Sequence, residues 1–209
     1  MNSRFPSMLT DIISYLKEQN LQLSVQSSDG RVNSSANEDE IIKCINKIFD
    51  IKVPRKREWY DFCIETETDF YPINIKVTDT THADNLSCKL GIYYTLTGLL
   101  PDFQNEIPWL AYFEKLKENL GKFKNKDFYF LVFNKQDSKD IFINTLKGLK
   151  KLHANGNNLP FQCRWDNNRN LENRSFEQAE EFILSVFGES IKLRSEIYFN
   201  FKKCFPQYV

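Results

Sequence analysis

Two stretches near the middle of the chain alternate apolar and polar residues with a period of two. Tyr71, Ile73, Ile75 and Val77 interleave with Pro72, Asn74, Lys76 and Thr78, which predicts a strand carrying Asn74 and Lys76 on one face. Just upstream, Trp59, Asp61 and Cys63 share a face of a second predicted strand. The polar run Glu65-Thr66-Glu67-Thr68-Asp69 between them predicts a turn that folds the pair into a hairpin. Twelve residues lie between Asp61 and Asn74. That spacing sets Asp61 beside Asn74 and Lys76.

Helical periods occupy much of the remainder. Ser7 is placed to cap a first helix with Met8, Leu9, Ile12, Ile13 and Leu16 as one stripe. Leu21, Leu23 and Val25 alternate briefly, and the polar segment 26–40 reads as a loop feeding a second helix, with Asn37 as N-cap and Ile41, Ile42, Ile45, Ile48 and Phe49 toward the core. Glu38 then falls at the edge of the buried face, while Asp39 and Lys43 turn to solvent. A first-turn acid commonly serves the helix dipole, at about 0.3–1 kcal/mol. Leu86, Leu90, Tyr93, Tyr94 and Leu96 predict a helix containing one glycine, with Asn85, Ser87 and Lys89 on its polar side and Pro101 closing it. Trp109, Leu110, Phe113, Leu116 and Leu120 predict another.

The nearly continuous apolar run 127–133 predicts a central strand covered on both sides. Ile141-Phe142-Ile143 predicts a shorter strand, and Thr145 to Leu152 a short amphipathic helix. The Asn-, Gly- and Pro-rich segment that follows reads as a loop with one strand at Phe161 to Trp165. Ser175 and Gln178 fit a capping box opening a last helix with Phe176, Ala179, Phe182, Ile183, Val186 and Phe187 as its apolar face. No internal repeat or linker divides the 209 residues, so the expectation is one domain over 1–209.

Composition narrows the classes. With 41% hydrophobic and 27% charged residues the chain is globular rather than disordered. No apolar run is long enough to span a bilayer and the N-terminus lacks a secretory pattern, which reads as a cytoplasmic protein with no membrane partner. Five scattered cysteines without a C-x-x-C argue against a disulfide framework or a zinc site. The 28 basic and 28 acidic residues balance, so any nucleic-acid binding rests on local patches. One such run is Lys52-Val53-Pro54-Arg55-Lys56-Arg57, either a phosphate contact or a solvated charge run. His82 and His153 lack metal-ligand spacing and read as surface or capping residues.

The hairpin carries the candidate chemistry. Asp61, Asn74 and Lys76, with Glu38 delivered from its helix, match what phosphodiester hydrolysis requires: a hard carboxylate for magnesium and a lysine to orient or help deprotonate the attacking water. The carbonyl of Ile75 is a further candidate oxygen ligand. Acid followed by N-x-K is a short pattern, and an Asp61–Lys76 ion pair would be its purely structural explanation. For reading bases, Asn and Gln pair naturally with adenine and Arg with guanine. Asn155, Asn157, Asn158, Gln162, Arg164, Asn167, Asn168 and Arg169 are the candidate readers, and Thr78, Thr80, Thr81 and Asn85 a second contact surface. The recognition loops are thus expected within 78–98 and 153–174. NGNN is also the composition of an ordinary turn.

Four stretches together resemble one family: GRVNSSANEDEII (30–42), Asp61 with NIK (74–76), ADNLSCKLGIYYTLTG (83–98) and NGNNLPFQCRW (155–165). They are similar to type II restriction endonucleases of the PD-(D/E)XK superfamily, and the run from Asp61 to Thr78 resembles the active-site strands of its EcoRV-like branch. The resemblance implies an α/β fold with a restriction-endonuclease-like core, a central mixed sheet flanked by helices. It further implies a homodimer around double-stranded DNA and Mg2+-dependent cleavage at a short, usually palindromic sequence. By position, Asp61 would be the metal-binding acid, Lys76 the motif lysine and Glu38 the helix-borne acid. Asn74 departs from the usual Asp or Glu, which removes a charge from the site and weakens its hold on metal. Glu65, Glu67 and Asp69 are fallback ligands for a shifted register. A structure- or mismatch-directed nuclease, and a DNA-binding module whose catalysis has lapsed, are the alternatives.

Overall fold

The computed structural model describes residues 6–19, 21, 23, 30–55 and 58–209, with side chains in the second helix from residue 36 onward. Val25, Lys56 and Arg57 lie outside the described residues. The chain divides into two compact units, residues 1–80 with 128–145 and residues 81–127 with 146–209.

The first unit is α/β. Helix α1 (Ser7–Gln19) and helix α2 (Gly30–Ile45) accompany strands β1 (Phe62–Glu65) and β2 (Phe70–Thr78), and after the excursion into the second unit come β4 (Tyr129–Asn134) and β5 (Asp137–Thr145). The strands lie in the order β1-β2-β4-β5. β1 and β2 are antiparallel, β2 and β4 parallel, and β4 and β5 antiparallel. The sheet is therefore mixed. Every residue of β4 from Tyr129 to Phe133 is buried, as its unbroken apolar run required of an inner strand. Leu9, Ile12 and Leu16 of α1 and Ile41 and Ile45 of α2 form one core cluster with Ile73, Ile75 and Val77 of β2 and Leu131 and Phe133 of β4. Each such fully buried side chain contributes about 1.5–3 kcal/mol.

The second helix starts earlier than the capping signal implied. α2 opens at Gly30, so the segment expected as loop through residue 40 is helical from 30, and Asn37 lies two turns inside rather than at the N-cap. Asn37 is 4% exposed and its Oδ1 has no hydrogen-bond partner among the described residues. Position 37 falls four residues before Ile41 and eight before Ile45, on the face that packs. Tertiary packing outweighs the preference of Asn for a cap here.

The second unit holds β3 (Ala83–Leu86), helix α3 (Lys89–Thr97), helix α4 (Trp109–Asn119), β6 (His153–Ala154), β7 (Phe161–Arg164) and helix α5 (Phe176–Cys204). Its sheet has the order β3-β7-β6, antiparallel throughout. Asn85 and Leu86 belong to β3 rather than to the helix expected to include them. α3 is buried from Leu90 to Thr97, as a helix apolar around its circumference must be. It ends at Gly98, not at Pro101: Gly98 has φ 73° and donates its N–H to Tyr94 O at 2.7 Å.

No helix forms over 145–152, where β5 ends and the chain turns. The carbonyls of this segment are taken by groups from elsewhere in the unit. Arg174 donates to Lys147 O and Leu149 O, and the amide of Glu172 donates to Gly148 O. Lys147, itself buried, donates through Nζ to Lys124 O. The capping box of α5 is present, with Ser175 Oγ accepting from Gln178 N and Gln178 Oε1 from Ser175 N. The helix runs 29 residues, well past the stripe that announced it. Among the described residues no helix is long and apolar enough to cross a membrane.

Candidate functional site

The hairpin forms in the expected register. Phe62 pairs with Ile73 and Glu65 with Phe70, and the loop between is closed by Thr66 N to Asp69 O at 2.8 Å and Asp69 N to Thr66 Oγ1 at 3.0 Å. Asp61 precedes β1 by one residue, yet its amide still donates to Ile73 O at 2.8 Å. That contact continues the ladder and sets Asp61 across from Asn74. Asp61 Oδ2 accepts from Asn74 Nδ2 at 2.7 Å and from the Ile75 amide at 2.5 Å. The acid is clasped by the strand that carries N-x-K.

Two forces act on this carboxyl. Burial pushes Asp61 above the usual carboxylate range; the Ile75 amide, the charge of Lys76 and the Asn74 amide pull it down without cancelling the rise. The folded chain therefore holds a desolvated acid that is under-compensated by its own neighbours. Tyr60, next in sequence, is pushed by burial to about 12 and stays protonated at neutral pH. Trp59, Tyr60, Phe70 and Phe128 meet around the strand start in edge-to-face and tilted contacts, with Trp59 and Phe128 centroids 5.7 Å apart.

Glu38 is half-buried on α2. The neighbouring Ile41 and Ile45 of that helix pack with Ile73, Ile75 and Val77, whereas Asn74 and Lys76 project from the other face of β2. The hairpin thus gathers Asp61, Asn74, Ile75 and Lys76, and Glu38 stands on the helix that covers the opposite face. Among the fallback acids, Glu65 is exposed and paired with Lys52, and Glu67 is exposed in the turn. Lys52, the first residue of the basic run, is occupied by that pair. Among the described residues no group of three His, Cys, Asp or Glu side chains is placed to hold a metal ion. The donors present at the hairpin are the Asp61 carboxylate, the Asn74 side-chain oxygen and the Ile75 carbonyl, all hard oxygens of the kind magnesium takes.

The second unit gathers candidate readers on one sheet face. Gln162 of β7 is flanked by its register partners Asn85 of β3 and His153 of β6, and cross-strand partners share a face. Arg164, two residues along β7, lies on the same face and is exposed. Asn155 bridges the row: its Nδ2 donates to Asn85 Oδ1 and Gln162 Oε1 at 3.0 Å each, and its Oδ1 accepts from the amides of Asn157 and Asn158. His153, expected as a surface or capping residue, belongs to this row. Burial, then the charges of Lys151 and Arg164, lower its pKa and disfavour the charged ring.

α5 fixes the Asn155 loop from behind. Ser190 Oγ accepts from Asn155 N at 3.0 Å, and Arg194 donates to Gly156 O and Asn157 O at 2.7 Å. A Cβ at Gly156 would lie 2.8 Å from Arg194 N, so this glycine serves close approach to the helix. Neither Ser190 nor Arg194 carries a local signal, because each acts 35 or more residues from its partner. Other candidates separate. Asn168 is buried and joins Lys151 and Arg164 backbone groups, Arg169 pairs with Asp166, and Thr80 is 2% exposed. Asn168 has a structural role and Thr80 no surface to offer, whereas Arg169 remains exposed. Thr78 is half-buried and donates to Asp79 O at 3.2 Å, and Thr81 is exposed beside His82.

Compared with known proteins, the chain matches no protein-family model and no curated protein.

Proposed function

We propose that the protein is a magnesium-dependent endonuclease that cuts double-stranded DNA at a short specific sequence. The carrying observation is the clasp of Asp61 by Asn74 and the Ile75 amide, beside the charge of Lys76. An acid, an amide and a lysine on one strand pair are costly to desolvate. A bound cation and a reacting phosphate are the charged species that such a set of groups suits.

Asp61 and Asn74, with the Ile75 carbonyl, are the residues that would hold the magnesium. The cation would neutralise phosphate charge and lower the pKa of the attacking water. Lys76 would orient the attacking water, and Asp61 fixes the strand end that presents the lysine. Sequence reading falls to the amide face of Asn85, Asn155 and Gln162, with exposed Arg164, Asn157 and Asn158 beside it. Asn and Gln suit adenine and Arg suits guanine. A palindromic site is matched by two copies of the chain related by a twofold axis.

A second reading is a DNA-binding module whose catalysis has lapsed. Asn74 favours it, since an amide stands where a second acid would bind metal more strongly. Incubation with a sequenced phage DNA, in magnesium and in EDTA, followed by end-sequencing of fragments, separates the two. Discrete magnesium-dependent bands with a common end sequence support the endonuclease. A smear points to a non-specific or structure-directed nuclease, and intact DNA with a retained gel shift to the binding module.

A further inference from the structure

The apolar stripe of α5 outlasts its cover. Ala179, Ile183, Phe187 and Ser190 are buried along one face of the helix, and helical spacing carries that face on through Arg194, Ile197, Phe201 and Cys204. Leu193, Tyr198 and Phe205 border it. Here the burial ends: Leu193 is 37% exposed, Ile197 58%, Phe201 45% and Phe205 47%. Such a seam in water marks a contact surface.

We infer that this half of α5 pairs with the same half of a second copy of the chain, antiparallel and about a twofold axis between Ile197 and Phe201. Three observations favour a second copy. The seam holds one charge, Arg194, and its guanidinium is already engaged by Gly156 O and Asn157 O; nothing along the seam repels its own image. An isologous contact is self-complementary, placing Ile197 against Phe201 and Leu193 against Phe205 twice over. The area is also adequate. Leu193, Ile197, Tyr198, Phe201 and Phe205 each retain roughly 100 Å2, on the order of 1,000 Å2 over two copies, which reaches the threshold for a specific interface.

Orientation follows from the flanks. Glu196 and Lys203 border the same edge of the helix. Antiparallel pairing brings each acid toward the other chain's lysine and opposes the helix dipoles. This pairing stands on α5 alone, so its test and the cleavage test fail separately.

Sedimentation of the full chain over a range of concentrations tests it, with Ile197→Asp in the seam and Phe199→Asp on the opposite face as control. The wild type and Phe199→Asp should dimerise alike, and Ile197→Asp should raise the dimer dissociation constant about a hundredfold or more with an unchanged circular dichroism spectrum. A spin label on Cys204, the exposed cysteine of the five, should report pairs roughly 15–25 Å apart, from the helix rise and interaxial distance. A wild type that is monomeric throughout overturns the inference, and binding of that monomer to anionic vesicles would name a membrane surface as the occupant. Equal loss in both variants, or ready disulfide formation between two Cys204 thiols, overturns it as well.

Discussion

Asn74 donates its side-chain amide to Asp61 at 2.7 Å, tying β2 to the residue just before β1. Replacing it by Asp sets a second carboxylate within hydrogen-bonding distance of the first. Two acids so placed cannot both ionise without a cation. Asn74→Asp should lower Tm in EDTA, recover it in magnesium, and reduce the magnesium concentration needed for cleavage. A Tm indifferent to magnesium would remove position 74 from the metal site.

Asp61→Asn keeps the shape of the side chain and an oxygen for the Ile75 amide. Because burial disfavours the ionised acid in the folded chain, this variant should match or exceed the wild type in Tm. Cleavage should fall by about a hundredfold or more. Lys76→Ala should lose cleavage equally while keeping its circular dichroism spectrum. Cutting at wild-type rates by both variants would show that the chemistry lies elsewhere.

Asn155 makes four side-chain hydrogen bonds at the amide face. Asn155→Ala strips donors and acceptor together and should cost about 1–3 kcal/mol in urea denaturation. Asn155→Asp retains the acceptor for Asn157 and Asn158 but faces the oxygens of Asn85 and Gln162. It should weaken a gel shift with duplex DNA more than it lowers stability. Equal binding by both variants and the wild type would exclude this face from DNA contact.

Gly98 has φ 73°, and a Cβ there would lie 2.3 Å from Phe123 Cβ. Gly98→Ala should therefore destabilise by at least about 2 kcal/mol, combining the left-handed penalty with the overlap. Gly188 has open space around it, and Gly188→Ala should be neutral or mildly stabilising in the same denaturation series.

Glu177 stands in the first turn of α5, where a hydrogen bond from Lys124 holds its carboxyl down to about 2. A folded value below the ordinary carboxylate range means the contribution is complete above that range and fades as pH falls toward about 2. Tm of the wild type should accordingly drop more steeply than that of Glu177→Gln between pH 5 and pH 2. Parallel Tm curves would show that the exposed pair adds nothing.

Local pattern carried a good part of this molecule. Alternation from Tyr71 to Thr78 and the polar turn at 65–69 were enough for the hairpin, and with it for the meeting of Asp61 and Asn74, because a short loop leaves few registers that bury Ile73, Ile75 and Val77 together. The capping box at Ser175 and Gln178 announced the start of α5 for a similar reason: both halves of the signal lie within one turn. The nearly continuous apolar run at 127–133 pointed to the inner strand, which begins at Tyr129.

What misled was residue preference read without its surroundings. Asn37 looks like a helix cap and is buried two turns inside α2. Residues 145–152 have a helical pattern, yet the carbonyls of 147, 148 and 149 accept from Arg174 and the Glu172 amide instead. Asn85 and Leu86 read as helix because their partners, Gln162 and Phe161, lie more than seventy residues on.

The sequence by itself determined the hairpin, its acid, amide and lysine, and the inner strand, since each rests on contacts a few residues apart. Tertiary structure alone decided that Gln162 stands between Asn85 and His153, that Arg194 and Ser190 hold the Asn155 loop, and that Glu38 rides a helix packed on the face away from Lys76. Those relations depend on which distant segments pair. Many strand partners are nearly equivalent in local propensity, and only burial of the whole core selects among them.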